Sequence, residues 1–328
     1  MGGETERKIL VTGGSGFIGT NFVDLLVGGG VQVVNVDVST PLKEAHVSYW
    51  KRCDILDLAK LNRIFRDTAP TEIVHLAART DTNGTMLEDY LVNTDGTANV
   101  LDAIKATATI SRVIFASTQF VCAPGSLPKH DADYNPHTVY GRSKAISEQL
   151  IRQANLSCTW TIVRPTNIWG PWHPRYPREF WRVVKKGLYF HPGPQPVVRS
   201  YGYVGNLIFQ IEAILKASPE VVQTKVYYLG DKPINLLDWV NEFARALTGR
   251  EARIAPRSFV GSLAVLGDAL SLIGITFPID TSRFRSMTQD YPTPMELTIT
   301  AFGEPPYSLK EGVDETVGWL KSEDAFWV

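Results

Sequence analysis

Cysteine is scarce in this chain: three in 328 residues, Cys53, Cys122 and Cys158. None stands in a CxxC spacing and three thiols cannot all pair, so they read as free thiols of a reducing compartment. A basic excess is also missing. Lys and Arg number 33 against 34 Asp and Glu, a formal net charge of −1, which argues against nucleic acid as a general partner. The opening residues, MGGETERKIL, lack the apolar run of a signal peptide. The most apolar long stretch, 259–279, carries Asp268 at its middle and Gly261, Gly267 and Gly274 along it. It predicts a buried helix of a C-terminal lobe rather than a membrane span. His173 and His191 stand alone and read as solvated loop histidines, so no metal is expected. A cytoplasmic protein follows. No internal repeat or low-complexity tract interrupts it.

Hydrophobic residues make up 44% of the chain and charged residues 20%, the composition of a globular protein with a sizeable core. Near-continuous apolar runs at 8–13, 31–38, 72–78, 112–118 and 160–166 suit strands buried on both faces of a parallel sheet. Helical patterns at 17–28, 57–67, 85–107 and 138–155 alternate with them. The alternation predicts an α/β fold with a doubly wound (Rossmann) parallel sheet. Beyond Pro165 the chain turns rich in Pro, Trp and His, and regular alternation returns only at 226–231 and 235–248. The expected division is a dinucleotide-binding domain over 1–170, with 200–235 adding late sheet elements. A smaller C-terminal substrate lobe would hold 171–199 and 236–328.

The stretch KILVTGGSGFIGTNFVDLL reads as strand, turn and helix, with Gly13, Gly16 and Gly19 in the turn. Gly13 permits the tight exit, Gly16 lets a pyrophosphate approach backbone N–H groups at the helix N-terminus, and Gly19 allows close packing. Asp37 ends the next strand, where a carboxylate accepts the ribose hydroxyls of NAD and repels the 2′-phosphate of NADP. NAD is therefore the expected cofactor.

Tyrosine and lysine stand four apart twice, as Tyr140 with Lys144 and as Tyr228 with Lys232. The first pair lies in a helical run after Pro136, which puts both side chains on one face. The second follows a strand and straddles Gly230 and Asp231, a turn signal.

Taken in order, TGGSGFIG, CDILD, HLAA, NTDGTANVLDAI, PHTVYGRSK, VRPTNIWGP and SLKEGVDETVGWL resemble the motifs of the extended short-chain dehydrogenase/reductase family, in its branch of nucleotide-sugar epimerases and dehydratases. The likeness runs over nearly the whole chain. It implies cofactor contacts at Gly13, Gly16, Phe17, Ile18, Gly19, Asp37, Asp54, Ile55, Leu76, Ala77, Ala78, Asn93, Tyr140, Lys144 and Pro165. It implies Thr118, Tyr140 and Lys144 as catalytic residues, and Thr80, Thr118, Gln119, Asn167 and Arg199 toward a nucleotide-diphosphate sugar. Tyr140 would act as base, its phenol acidified by the Lys144 ammonium and oxidised nicotinamide, with Thr118 hydrogen-bonding the reacting oxygen. A homodimer is implied through the helices at 85–107 and 138–155, with Ala103, Ala106, Ala145 and Ile151 as a candidate seam that could equally face the sheet.

The family's dehydratases carry an Asp-Glu pair after that threonine; here Gln119 and Phe120 follow, and neither moves a proton. Dehydration is not expected. Asn206 replaces a largely structural Asp. Trp169, Trp172 and Trp181 crowd the presumed lid, either stacking on substrate or packing. The expected activity is NAD-dependent epimerisation of a nucleotide sugar at C4. The alternatives are a hydroxyl dehydrogenase or ketoreductase on a sugar or sterol-like substrate, and a non-catalytic NAD-binding regulator.

Overall fold

The structure is a computed structural model describing residues 7–126, 128–275 and 277–322. The polar N-terminal residues 1–6 and the end of the expected lobe, 323–328, lie outside the described residues. The chain forms two compact units, the first from 1–166, 207–229 and 294–304, the second from 167–206, 230–293 and 305–328.

The first unit is a seven-stranded, wholly parallel sheet. Its strands are β1 (Lys8–Thr12), β2 (Gln32–Asp37), β3 (Trp50–Arg52), β4 (Glu72–His75), β5 (Arg112–Ala116), β6 (Thr159–Pro165) and, after four short strands of the second unit, β11 (Val226–Leu229). The order is β11-β6-β5-β4-β1-β2-β3, the doubly wound arrangement, with its switch point between β1 and β4. Ile9, Leu10, Val11, Ile73, Val74, Val113 and Ile114 are fully buried, as strands covered on both faces require. Covering helices are α1 (Phe17–Gly28), α2 (Leu58–Thr68), α3 (Leu91–Lys105) and α4 (Val139–Gln153). In α2, Leu61 and Phe65 are wholly buried at i,i+4, Asp57 caps the start by accepting from Lys60 N, and Ala69 ends it in the left-handed region. Replacing a core aromatic such as Phe65 by Ala costs roughly 3–5 kcal/mol.

The second unit holds β7 (Asn167–Trp169), β8 (Phe190–Pro192), β9 (Val198–Arg199), β10 (Tyr201–Tyr203), β12 (Ile234–Asn235) and β13 (Arg253–Ala255). They pair as β7 with β10, β8 with β13 and β9 with β12. Its helices are α5 (Arg182–Lys185), α8 (Leu236–Thr248), α9 (Arg257–Ser271), α10 (Thr281–Thr288) and α12 (Leu309–Ser322). α6 (Val204–Lys216) carries the chain back to the first unit, where α7 (Pro219–Val222) and α11 (Glu296–Phe302) lie.

Two expectations need correction here. The 259–279 stretch is not a buried helix: α9 buries only Val260, Ala264 and Gly267, and Leu272 beyond it is 88% exposed. No helix among the described residues is long and apolar enough to cross a membrane. His173 and His191 are buried, not solvated. The His173 Nδ1 accepts from Arg175 N and Tyr176 N, and burial presses its pKa down to about 3. Of the two readings of the tryptophans, packing describes Trp169 and Trp181, fully buried and set against Phe243. Of the candidate seam, Ala103, Ala145 and Ile151 are buried within the chain itself, and Ala106 is exposed.

Candidate active site

The carboxyl ends of β1 and β2 bring the glycine turn and Asp37 together. Gly13 has φ +75°, and a Cβ there would sit 2.6 Å from Ala77 N. A side chain is thus excluded where Leu76–Ala78 leave β4; Leu76 N and Ala77 N donate to Thr12 O and Oγ1. Gly19 lies as tightly against Gly13 O. Gly16, the N-cap of α1, is different: it is exposed, and an added Cβ would meet only Gly13 O, at 3.3 Å. The open side of the turn is the side on which an anion would approach the first turn of α1, where Phe17 and Ile18 are half-buried. Asp37 is held by two backbone amides, Ser15 N on Oδ2 at 3.0 Å and Ser39 N on Oδ1 at 2.9 Å. The residues therefore fit a dinucleotide.

Farther along, Asp54 is exposed and accepts from Leu56 N. Ile55 sends its side chain into the core against Gly96, 3% exposed, so any cofactor contact falls to its backbone. Thr80 is exposed and Pro165 half-buried at the end of β6.

Asn93 is fully buried with its donors engaged: Nδ2 donates to Arg79 O and Ser143 Oγ, while Oδ1 accepts from Arg79 N. Ser143 Oγ in turn donates to Tyr140 O. Asn93 is a tie between the segment after β4 and α4.

α4 begins at Thr138, whose Oγ1 accepts from Gly141 N at 2.9 Å, and the lack of a side chain at Gly141 lets the helix rest on Phe120 O. That contact brings Thr118, Gln119 and Phe120 to the start of α4. Thr118 is 5% exposed with its Oγ1 accepting from Phe120 N, and Gln119 is buried. The Tyr140 ring lies 6.0 Å from Phe120 and 6.2 Å from Tyr90.

Lys144 is buried, and burial lowers its pKa to about 8, the nearby charge of Glu148 opposing this. His75 is pressed to about 3 by burial and then by Lys144, so its ring stays neutral between Thr12 Oγ1 at 2.7 Å and Thr97 Oγ1 at 3.3 Å. Glu148, Arg164, Ser117 and Tyr134 form a buried network that motif reading missed. Glu148 Oε1 accepts from Ser117 Oγ and Arg164 Nε, Oε2 from Tyr134 Oη and Arg164 Nη2. The available signal was the i,i+4 stripe of Tyr140 and Lys144, which continues to Glu148.

The other tyrosine–lysine pair shares no helix. Tyr228 belongs to β11, where its hydroxyl accepts from Arg164 Nη1 at 3.2 Å, and Lys232 lies past the strand end.

Asn167 and Arg199 belong to the second unit. Asn167 opens β7 beside Tyr201, its N–H on Ser200 O. Arg199 is 7% exposed, donates Nη1 to Gln289 O at 3.0 Å and stands over the Tyr291 ring. Its Nε has no partner and it makes no ion pair among the described residues.

Residues 9–230 match the model of the NAD dependent epimerase/dehydratase family. The chain belongs to that family. NAD is accordingly the cofactor of this epimerase/dehydratase-family enzyme, which is of the extended short-chain dehydrogenase/reductase type. It is 27% identical over 327 residues to an N-acetyl-alpha-D-glucosaminyl-diphospho-ditrans,octacis-undecaprenol 4-epimerase of Escherichia coli O157:H7, covering 94% of both chains. It is 28% identical over 260 residues to a 3 beta-hydroxysteroid dehydrogenase/Delta 5-->4-isomerase of Mycobacterium tuberculosis, covering 73% of this chain and 68% of that one. Among solved structures, the UDP-glucose 4-epimerase of Thermotoga maritima with UDP-glucose superposes with TM-score 0.75 at 20% identity, over 96% of this chain and 99% of that chain. At that identity the likeness speaks for the fold alone.

Proposed function

We propose that this enzyme epimerises a nucleotide-diphosphate sugar, at C4, by transient oxidation of its hydroxyl. The observation that carries the reading is a buried Lys144 one turn beyond Tyr140, where Phe120, two residues after Thr118, meets α4 at Gly141. NAD, when bound, supplies the reversible two-electron acceptor, held by the glycine turn, Asp37, Asp54, the Leu76–Ala78 segment and Lys144. Tyr140 takes the hydroxyl proton and returns it. Below about pH 8 the Lys144 ammonium favours the phenolate. Thr118 Oγ1 orients the reacting oxygen. Gln119 and Phe120 provide no acid or base for water elimination, which favours epimerisation over dehydration. The second unit serves as the substrate lobe. There Asn167 and Arg199 hold the diphosphate, and a buried guanidinium with no carboxylate partner is suited to phosphate oxygens. The undecaprenol-linked 4-epimerase relative gives the same reaction class by name. A homodimer completes the proposal, and a monomeric mass by light scattering at micromolar concentration refutes it.

The test is steady-state kinetics of Arg199→Lys and Arg199→Ala against a panel of nucleotide sugars. A strongly raised KM with unchanged NAD affinity is expected. Unchanged KM in both variants, or preferred turnover of a substrate without phosphate, favours the second reading, a hydroxyl dehydrogenase on an apolar substrate, for which the steroid dehydrogenase relative and an apolar cavity in the second unit speak.

A further inference from the structure

The second unit carries a half-open cavity of about 500 Å³, all of whose lining residues belong to that unit. The volume lies within the roughly 300–1,000 Å³ that small-molecule sites occupy. Its walls are apolar and aromatic, with Phe180, Leu188, Tyr201, Trp239, Leu263 and Phe277 among them. Trp239 is stacked between Tyr201, 4.4 Å away, and Phe180, 4.9 Å away, so this wall is rigid. The only charged residues in the lining, Glu179 and Arg283, pair with each other at 3.2 Å.

We propose that this cavity binds the hydrocarbon part of an uncharged, lipid-like ligand. The apolar walls supply the affinity by removing hydrocarbon from water. α9 supports this class of ligand. It turns Val260 and Leu263 to the cavity while Phe259, Val265 and Leu266 on the same helix are exposed. An apolar outer face beside an apolar cavity suits a ligand taken from a lipid phase. Tyr201 of this wall hydrogen-bonds Arg199, so the cavity adjoins the residue given to the diphosphate, and competition by UDP separates the two ligands.

The experiment titrates the NAD-loaded protein with three probes, farnesol, pregnenolone and decanol, following tryptophan emission, with stoichiometry from native mass spectrometry. UDP serves as the charged competitor. Saturable 1:1 binding of at least one probe is expected, and the strongest distinguishes an isoprenoid, steroid or straight-chain source. Leu263→Trp, which fills the cavity, should weaken that binding roughly tenfold or more with NAD affinity unchanged. Met287→Trp fills the same space from α10 and takes its place if the first variant does not fold. Absence of saturable binding by every probe, equal binding in the filled variants, or displacement by UDP overturns the proposal. The last result would assign the cavity to nucleotide instead. Turnover of nucleotide sugars is measured separately, so either reading can fail alone.

Discussion

Arg164 grips Glu148 with a two-pronged contact, Nε to Oε1 at 2.9 Å and Nη2 to Oε2 at 2.8 Å, with both side chains out of water. The pair links β6 to the middle of α4, one turn beyond Lys144. Arg164 Nη2 also donates to Asp131 O at 2.6 Å, so one guanidinium holds the helix and the loop before it. Breaking a buried pair leaves a charge without compensation. Glu148→Gln should therefore destabilise the protein by about 3–5 kcal/mol, read as a lowered urea midpoint. A change within the scatter of surface variants would mean the pair is not structural.

Tyr140→Phe should abolish turnover while NAD binding and the melting temperature stay near wild type, since only the phenolic oxygen is lost. Tyr228→Phe removes the acceptor of Arg164 Nη1, so about 1 kcal/mol of stability should go with activity retained. Comparable activity loss in both variants would mean that the wrong pair was chosen.

Lys144 gives a pH test. Its pKa in the fold is about 8, below the ordinary 10.5, so between those values the unfolded chain binds the proton that the fold has released. Its contribution to stability therefore rises with pH across that window, and its full cost is present below pH 8. Lys144→Met should be inactive yet more stable at pH 7, by up to about 3 kcal/mol, with the difference shrinking toward pH 10.5. Urea melts of both proteins at pH 7 and pH 10 decide it. A difference that does not change with pH refutes the assignment.

Asn206 explains a departure from the family pattern. Its Nδ2 donates to Asp231 Oδ1 at 2.7 Å and to Tyr307 O at 2.8 Å, and its Oδ1 accepts from Tyr307 N. Burial already raises Asp231 to about 6. Asn206→Asp would set a second carboxylate against the first, so the melting temperature should fall, more at pH 7.5 than at pH 5 where the pair shares protons. An equal loss at both values would sink the account.

Asp37→Ala should weaken NAD by roughly tenfold or more, a charged hydrogen-bond partner being lost, and relax discrimination against NADP. Calorimetric titration with both dinucleotides measures it. Wild-type protein binding NADP more tightly than NAD would contradict the role given to the carboxylate.

What could be read in advance was local. β1, β2, β4, β5 and β6 are apolar runs bounded by turns, and the glycine spacing and the i,i+4 pair are short-range patterns. β3 escaped because Trp50–Arg52 is three residues with two exposed, too short to show a period. The helix expected over 85–107 begins only at Leu91, after a tight turn at Leu87–Tyr90. The two- and three-residue strands of the second unit depend on partners tens of residues away, as Arg199 does on Ile234. α9 misled because its apolar residues run all round the helix, and composition alone does not say which of them find cover.

The cofactor-binding sheet is threaded in a way that matters while the chain is being made. β6 ends at Pro165, but its neighbour β11 begins only at Val226, and Thr298, whose hydroxyl donates to Tyr228 O at 2.6 Å, comes later still. On a growing chain, β6 is therefore an open, apolar edge for some sixty residues of synthesis, the kind of edge that recruits other strands. The sheet cannot be finished before 167–206, the first part of the second unit, have also emerged. The two units are made interleaved rather than one after the other.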